Sequence, residues 1–449
     1  MIFLFLFTLS CAAAICVALI YATKGTVLLN RRNDLSAVQA SHTKQVSRLG
    51  GVAIVVAAAV SVPFIADPEA RMIGTGLFLS VLPVFIAGLA EDLGFDVSPK
   101  KRLFGAALSS ALAIVVTGAW INSSGIGAID VVLGVVPIGL VITIIWTSGL
   151  CHATNLIDGM NGLAGAFTVL AAAGLAILAY TAGDYPMVAL SLVIIPAVLG
   201  FMLFNWPGGL IFLGDAGAYS LGHLVAWLGI ILAARNADIA GTAVALVFFW
   251  PIADTTFAIY RRRRQGKRFD QPDRMHVHQI VMRWLEIAGL GRKRRHISNP
   301  ATTVVLLPFM SGPIILATLM PEHGGLALLT FGLCAAGFVT VYILGTKFAR
   351  SRRNPVDVVR PVRTVPVSEP HLPTEGEANP ALVVEVRDDI LLMRSGPNSY
   401  WYAFVRGPSG TWRKLDRGFT SRDRAVRSAM RTRFRNRLSP IQHEHAAIH

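Results

Sequence analysis

Long apolar runs dominate the first three quarters of the chain and constrain its fold more than any other feature. From Met1 to about Gly345, mostly apolar stretches alternate with short polar loops, whereas the sequence after about Ala349 is polar and basic. A helix that crosses a bilayer needs roughly 20 mostly apolar residues. Charged residues make up only 15% of the chain, against about 25% in soluble domains. The pattern therefore predicts an all-α polytopic membrane protein with a small tail.

Eleven runs are long enough to be predicted transmembrane helices, and they define a membrane domain over residues 1–348. The Pro-rich segment 349–380 is typical of a linker. Residues 381–449 contain short strand-like runs and a helix-like segment at 422–436, which predict a small cytoplasmic α+β accessory domain without a catalytic constellation. The predicted spans are 2–21, 51–66, 73–90, 104–120, 128–148, 163–182, 186–205, 217–235, 241–260, 301–320 and 324–346.

Lysine and arginine residues are concentrated in the loops on one side of the predicted membrane domain. The loops on the opposite side hold only Arg71 and Arg235. Cytoplasmic loops of membrane proteins are enriched in Lys and Arg, so we expect the N-terminus outside and the tail in the cytoplasm. Orientation in a membrane also accounts for the net charge of +15, and no nucleic-acid partner is expected.

Carboxylates occur in four separate stretches on the predicted cytoplasmic face. Glu91 and Asp92 end the third predicted span, and Asp158 lies in a glycine-rich loop. Asp215 precedes the eighth predicted span, and Asp254 lies inside the ninth. Ionisable residues at membrane depth are energetically expensive and usually functional. Because Mg²⁺ binds one or two carboxylates together with substrate phosphate oxygens, Asp92 and Asp215 are candidate ligands.

A basic segment follows the ninth predicted span, from Arg261 to Gln279. Its arginine and histidine side chains suit the binding of phosphate or diphosphate. The sequence contains no Walker-type phosphate loop, which disfavours an NTP-driven pump. A transporter is the alternative of another class, although no internal repeat is evident and the carboxylates gather at one face.

The ordered motifs resemble the polyprenyl-phosphate N-acetylhexosamine-1-phosphate transferases of glycosyltransferase family 4, which include the phospho-N-acetylmuramoyl-pentapeptide transferases. The resemblance runs from about His42 to Gln279, more than half of the chain. Each motif is weak alone, but their order on one membrane face is specific. The matching stretches are HTKQVSRLGG at 42–51, ED at 91–92, NLIDGMNGL at 155–163, FLGDAG at 212–217, PIAD at 251–254 and DRMHVH at 273–278.

The resemblance implies roles for individual residues. Asp92 and Asp215 would hold Mg²⁺, with Mn²⁺ as an alternative. Glu91 or Asp92 would remove a proton from the lipid phosphate, and Asp158 would organise the catalytic site near the nucleotide. The substrate-binding residues that the resemblance implies are Arg48, Asn155, Asn161, Arg274, His276 and His278.

The chain departs from the family pattern at several positions. Glu91 stands where the family usually has Asp, and His152 stands where Asn is common. Asn161 replaces a frequent Asp and is assigned no acid–base role. Gln279 replaces a second His, so it is not expected to be a charged contact.

The implied reaction transfers N-acetylhexosamine-1-phosphate, in particular GlcNAc-1-phosphate, from a UDP-sugar donor to undecaprenyl phosphate and releases UMP. The product would start a lipid-linked cell-surface glycan such as an O-antigen. The alternative within the family is the phospho-N-acetylmuramoyl-pentapeptide transferase of peptidoglycan synthesis. The resemblance implies a bacterial inner membrane location with the active site facing the cytoplasm. It leaves open whether the protein is a homodimer.

Overall fold

The chain forms two compact units, which meet in sequence between Arg352 and Arg353. In this computed structural model the first unit is helical, and the described parts of the second are strands. The predicted contact residue Arg274 and the predicted helix 422–436 lie outside the described residues. The structure describes residues 1–24, 46–266, 275–291 and 294–351, and the strands 364–367, 383–387, 390–394, 401–406 and 412–415.

The first unit consists of α-helices because a backbone inside hydrocarbon must satisfy its hydrogen bonds internally. A 3₁₀ turn, Val62–Phe64, extends the second helix, and a π-helical segment spans Glu286–Leu290. In the described residues the helices are α1 (Ile2–Thr23), α2 (Gly50–Ser61), α3 (Pro68–Ser80), α4 (Leu82–Asp92), α5 (Pro99–Thr117), α6 (Gly127–Leu133), α7 (Val136–Ile157), α8 (Leu163–Thr181), α9 (Tyr185–Asn205), α10 (Gly214–Arg235), α11 (Gly241–Val247), α12 (Phe249–Arg264), α13 (Val277–Leu285), α14 (Arg295–Leu319) and α15 (Gly324–Ser351).

Several helices have the length and apolar composition of transmembrane spans. Within the described residues, seven single helices meet these criteria, and two bent pairs raise the number to nine. The first unit therefore has the all-α architecture of a polytopic membrane protein. The predicted spans at 51–66 and 104–120 correspond to α2 and α5, which fall outside these criteria. A total of eleven spans stays a prediction.

Proline residues mark three places where the helices differ from the predicted spans. The third predicted span bends by 43° between α3 and α4, and the ninth bends by 77° between α11 and α12. The predicted bounds 128–148 are wrong, because α6 ends at Leu133 and the helix that is long and apolar enough to span runs from Val136 to Ile157. Pro83, Pro137 and Pro251 each lie in the first turn of the helix after the break, where the missing N–H of proline leaves no hydrogen bond unmade.

Helix α10 lies at the centre of the membrane unit. Its apolar 18-residue stretch is 94% buried, and it packs against α2, α4, α7 and α8. A helix that is apolar on every side is stable only inside a larger structure or a membrane. The start of α10 is therefore where loops from several surrounding helices converge.

The described strands of the second unit form one antiparallel sheet in the order β1-β5-β4-β3-β2. Strand β1 lies within the segment 349–380 that the sequence assigns to a linker, and it pairs with β5. The outer position of this strand explains why its short run of Thr, Val and Pro gives a weak signal, because proline is tolerated on edge strands. The strands are β1 (Thr364–Val367), β2 (Val383–Arg387), β3 (Ile390–Arg394), β4 (Trp401–Arg406) and β5 (Trp412–Leu415).

Candidate functional site

Two chain segments that are distant in sequence pair through their backbones just before α2 and α10. The amide of Phe212 donates to the carbonyl of Ser47 at 2.8 Å. The amides of Gly50 and Gly51 donate in turn to the carbonyls of Phe212 and Leu213, at 2.9 and 2.8 Å. These bonds hold the N-terminal ends of both helices side by side, so the first motif of the sequence meets the fourth.

Glycines make this close approach possible. Gly214 has a φ of +75°, and a Cβ there would overlap the carbonyl of Arg48 and the carboxylate of Asp92. One turn later, Gly51 and Gly217 face each other so closely that a Cβ on either would overlap the other's backbone. At these positions the glycines let protein segments pack together.

The Asp92 carboxylate caps the N-terminus of α10. It accepts hydrogen bonds from the backbone amides of Asp215 at 2.9 Å and Ala216 at 2.8 Å, and the Nε atom of Arg48 lies 3.4 Å away. A carboxylate is favourable at this end of a helix, because the first amides there have no partner within the helix. The residue at the N-cap position, Leu213, has no side-chain acceptor, so α4 supplies the cap.

The Asp215 carboxylate is the point at which three further segments meet. One oxygen accepts from Arg48 Nη2 and from Asn155 Nδ2, each at 3.2 Å. The other oxygen pairs with Arg102. The Asp215 side chain is 8% exposed, whereas that of Arg48 is 36% exposed. A buried carboxylate is thus balanced by two guanidinium groups, one of which a ligand can reach.

Arg102 is a site residue that the sequence interpretation missed. It lies in the first turn of α5, within a run of three basic residues that was used only to orient the chain. Its guanidinium also lies over the Tyr219 ring, 5.9 Å from the ring centroid. The signal that could have identified it is its place on the same face as the acidic pair, about ten residues further along the chain.

Asp158 lies directly after the C-terminal end of α7. The predicted loop 149–162 is shorter than expected, because α7 continues to Ile157 and carries Asn155 in its last turn. Burial raises the pKa of Asp158 to about 7, to which nearby Asp215 contributes while Arg48 opposes it. No hydrogen bond to its carboxylate is formed within the described residues. Asp158 is therefore a carboxylate that can exchange a proton near neutral pH.

The two members of the acidic pair serve different parts of the structure. Glu91 is buried, and its Oε2 atom accepts a hydrogen bond from the amide of Val97 at 2.6 Å, which closes the turn between α4 and α5. Both Asp92 oxygens are engaged by the start of α10. The catalytic roles predicted for Glu91 and Asp92 remain predictions.

A histidine group is held beside the Asp158 loop. The Asp254 carboxylate lies 2.8 Å from His276 Nδ1 and accepts from the amide of Val277 at 3.1 Å. The rings of His276 and His278 stack with centroids 5.6 Å apart, and His278 packs against Gly159. Burial lowers the pKa of His278 to about 4. His278 is thus neutral at physiological pH, and the substrate contacts predicted for His276 and His278 remain predictions.

Asn161 is buried and bonded mainly to other protein groups. Its amide donates to Asn299 Oδ1 at 2.8 Å, and its Nδ2 donates to the carbonyl of Pro207 at 2.9 Å. Its own carbonyl accepts from Thr303 Oγ1 at 2.7 Å. These bonds tie the glycine-rich loop to α14, and the substrate contact predicted for Asn161 remains a prediction.

The donor set suits a metal ion that also binds substrate. Among the described residues, no three His, Cys, Asp or Glu side chains are grouped so that they could hold a metal by themselves. Mg²⁺ commonly takes only one or two carboxylates and completes its shell with phosphate oxygens and water. Asp215 and Asp158 can provide such ligands, since neither carboxylate is bound by backbone amides.

Comparisons with known proteins identify the same part of the chain. Residues 74–233 match the model of glycosyl transferase family 4. A probable undecaprenyl-phosphate N-acetylglucosaminyl 1-phosphate transferase of Bacillus subtilis is 29% identical over 54% of this chain and 67% of its own length. An undecaprenyl-phosphate alpha-N-acetylglucosaminyl 1-phosphate transferase of Yersinia pestis is 31% identical over 45% of this chain and 56% of its own length. A decaprenyl-phosphate N-acetylglucosaminephosphotransferase of Mycolicibacterium smegmatis is 27% identical over 66% of this chain and 82% of its own length.

Proposed function

We propose that this chain, which belongs to glycosyl transferase family 4, transfers N-acetylglucosamine-1-phosphate from a UDP-sugar to undecaprenyl phosphate and releases UMP. The names of its relatives support this sugar and a polyprenyl phosphate acceptor. They favour this reaction over the muramoyl-pentapeptide transfer and over transport. The product would start a lipid-linked cell-surface glycan.

The observation that carries the proposal is the convergence on Asp215. Arg48, Arg102 and Asn155, from three distant segments, contact this one buried carboxylate. Arginine forks bind phosphate oxygens well, and the half-exposed Arg48 is the one that a donor diphosphate can reach first. A site that gathers carboxylates and guanidinium groups at the start of one helix suits a reaction between two phosphate-bearing substrates.

We propose Mg²⁺ as the cofactor, with Asp215 as its protein ligand and Mn²⁺ as a substitute. Asp92, the second ligand predicted from the sequence, is instead engaged by the amides at the start of α10. When bound, the ion would neutralise charge on the donor diphosphate and on the leaving UMP. Arg48 would orient the diphosphate, and the cap on α10 would keep Asp215 fixed during the reaction. These roles use charges that the described residues already bring together.

Asp158 would act as the general base if the lipid phosphate enters the site singly protonated. Glu91 and Asp92 were the earlier candidates, but backbone amides hold one oxygen of Glu91 and both oxygens of Asp92. The Asp158 carboxylate would accept the proton while the freed lipid phosphate oxygen attacks the β-phosphorus of the UDP-sugar. The bond between that phosphorus and the bridging oxygen of UMP would break. We favour this direct attack over a covalent route through an aspartyl phosphate.

We further propose that the site and the tail face the cytoplasm of a bacterial inner membrane, and that the chain crosses it eleven times. The clustering of Lys and Arg in one set of loops supports this orientation. A UDP-sugar is a cytoplasmic metabolite, so the orientation agrees with the proposed donor.

The test is transfer of radiolabelled sugar phosphate by the purified full chain. Donors would include UDP-N-acetylglucosamine, other UDP-N-acetylhexosamines and UDP-N-acetylmuramoyl-pentapeptide, with undecaprenyl or decaprenyl phosphate as acceptor. We expect a lipid-linked product and UMP, dependent on Mg²⁺ and lost in Asp215→Asn. A product only from the pentapeptide donor would establish the alternative reaction. No product from any donor with folded protein would contradict the proposal.

A further inference from the structure

Two buried nitrogen atoms beside Asp215 have no hydrogen-bond partner within the described residues. They are Nε of Arg102 and Nε2 of His152. Both side chains pack on Tyr219: the His152 ring meets its edge with centroids 4.9 Å apart, and the Arg102 guanidinium lies over its face. Buried polar groups in native proteins nearly always have a partner. Two such groups around one tyrosine can share one partner.

The charged groups around these two nitrogen atoms indicate which kind of ligand atom would bind them. One terminal nitrogen of Arg102 is committed to Asp215, which fixes the plane of the guanidinium and turns its Nε–H away from that carboxylate. His152 lies within electrostatic range of both Arg102 and Asp215. In the Nε2–H tautomer, His152 adds a second donor to this cationic edge. A pair of N–H donors on a positively charged group suits an anionic oxygen, and phosphoryl oxygens are the ones that bind Arg most favourably.

Access to the two donors depends on the Arg102 side chain. It is 17% exposed, and His152 is half-buried, so neither residue is sealed in the core. Because both side chains pack on Tyr219, a ligand that reaches one of them lies close to the other. One ligand atom can then meet both.

We propose that Arg102 and His152 together bind a phosphoryl oxygen of one substrate, beside the Tyr219 ring on which both side chains pack. The inference rests on the proposed function, because it takes the ligand from the two phosphate-bearing substrates of that reaction. His152 stands where the resembling family commonly has Asn, and an Asn amide offers the same kind of N–H donor. The imidazole keeps the donor and adds a ring that packs on Tyr219.

The test compares ligand affinities in variants of the purified full chain. His152→Phe keeps the ring against Tyr219 but removes the donor, and thermal stability is expected to be retained, since the replaced nitrogen has no partner. His152→Asn restores a donor without the ring. Arg102→Lys keeps a charge near Asp215 but lacks Nε–H. Undecaprenyl phosphate is compared with undecaprenol, and UDP-N-acetylglucosamine with uridine. The difference in affinity within each pair measures the contribution of the phosphate groups to binding.

We expect His152→Phe and Arg102→Lys to weaken the same phosphate ligand by about 10-fold, the usual effect of losing a hydrogen bond to a charged group. His152→Asn should bind nearly as well as the native chain. The ligand that is weakened identifies the source of the oxygen, lipid or donor. Unchanged affinity for both ligands in His152→Phe would overturn the inference and leave a buried water as the partner. Weakening of different ligands by the two variants would overturn it as well.

Binding does not require turnover, so the outcome is separable from that of the transfer reaction. Phosphate-dependent binding that falls in both variants, in a chain that makes no lipid product, would support the inference and contradict the proposed function. A native chain that binds neither phosphate ligand would overturn both.

Discussion

The two ends of α10 carry similar ionic groups but differ in how these groups are satisfied. At its N-terminal end, buried Asp215 contacts two arginines and Asn155. At its C-terminal end, buried Asp184 accepts from Arg235 at 2.9 Å and from Asn236 at 2.9 Å. Each end therefore presents an aspartate held by arginine and asparagine side chains, and composition alone does not distinguish them.

The two ends of α10 differ in whether polar groups remain without a hydrogen-bond partner. At the C-terminal end, Arg235 also binds Glu69 at 2.7 Å, and Asp184 caps α9 through the amide of Met187. Burial would raise the pKa of Asp184, but the hydrogen bonds from Arg235 and Asn236 lower it below its ordinary value. At the N-terminal end, Asp158 keeps an unbound carboxylate with a raised pKa. An ionic network that satisfies itself is structural, whereas a network with unsatisfied groups suits a ligand.

The largest expected effect separates the two aspartates directly. Asp215→Asn should lower transfer activity by about 100- to 1000-fold, since it removes charge from the reacting centre. Its matched control, Asp184→Asn, should leave transfer nearly unchanged and lower the melting temperature instead. Initial rates and thermal unfolding of both purified variants check the contrast. An equal loss of activity in both would remove the distinction between the two ends.

The second prediction tests whether Asp92 acts through the helix that it caps. Asp92→Asn can no longer accept from the amides of both Asp215 and Ala216, so we expect a loss of about 1–3 kcal/mol of stability. Activity should fall by about 10- to 100-fold, because Asp215 would be less firmly held. Rates and melting temperatures of the same preparation report both effects. A full loss of activity with unchanged melting temperature would point to a direct catalytic role of Asp92.

The third prediction uses pH to compare the ends. The pKa of Asp158 is raised to about 7, so this group stabilises the fold below its unfolded pKa of about 3.9, and that contribution is lost as pH rises through 7. The pKa of Asp184 is lowered, so its contribution is present above about pH 4 and is lost as pH falls further. We expect Asp158→Asn to raise the melting temperature above pH 7 by about 2 °C.

Melting curves from pH 5 to 8.5 in the presence of a metal chelator test this difference, with Asp184→Asn measured in parallel. Asp184→Asn should be less stable than the native chain by a nearly constant amount across this range, because the pKa of Asp184 lies below it. A melting temperature of Asp158→Asn that follows the native curve at every pH would show that this carboxylate does not titrate in the folded protein.

The smallest expected effect concerns Glu69, the exposed partner of Arg235 at the C-terminal end of α10. Glu69→Gln removes an exposed ion pair with Arg235, and such pairs contribute about 0–1 kcal/mol. Transfer activity should be unchanged, and the melting temperature should fall only slightly, by less in high salt. A clear loss of activity in Glu69→Gln would mean that the C-terminal end of α10 is coupled to the site.

The sequence predicted which motifs meet but not how they are used. Arg48, Asn155 and Asp215 were identified from ordered motifs, and the structure brings the first two within hydrogen-bond distance of Asp215. The cap from Asp92 on α10 could not be predicted, because it joins two helices that are distant in sequence. Arg102 was missed for the same reason, since only tertiary packing shows that its guanidinium reaches Asp215.

Hydropathy located the helices well but not their breaks. The residues 127–136 are largely apolar throughout, so the predicted span at 128–148 continued across the turn between α6 and α7. Proline gives the missing information, because Pro137 lies in the first turn of the new helix. The strand Thr364–Val367 was assigned to a linker because its partner, β5, lies about fifty residues away in sequence. Short edge strands are specified by their partners more than by their own residues.

The contact between Gly51 and Gly217 has a consequence for natural variation. A methyl group on either residue would overlap the backbone of the other. Because both residues are already glycine, a larger residue at one position cannot be compensated by a smaller one at the other. The two positions are therefore expected to stay glycine together across the family, or to change only where the start of α2 has shifted as a whole. Variants recovered from random mutagenesis with selection for function should be depleted at both positions, even though neither residue carries a reactive group.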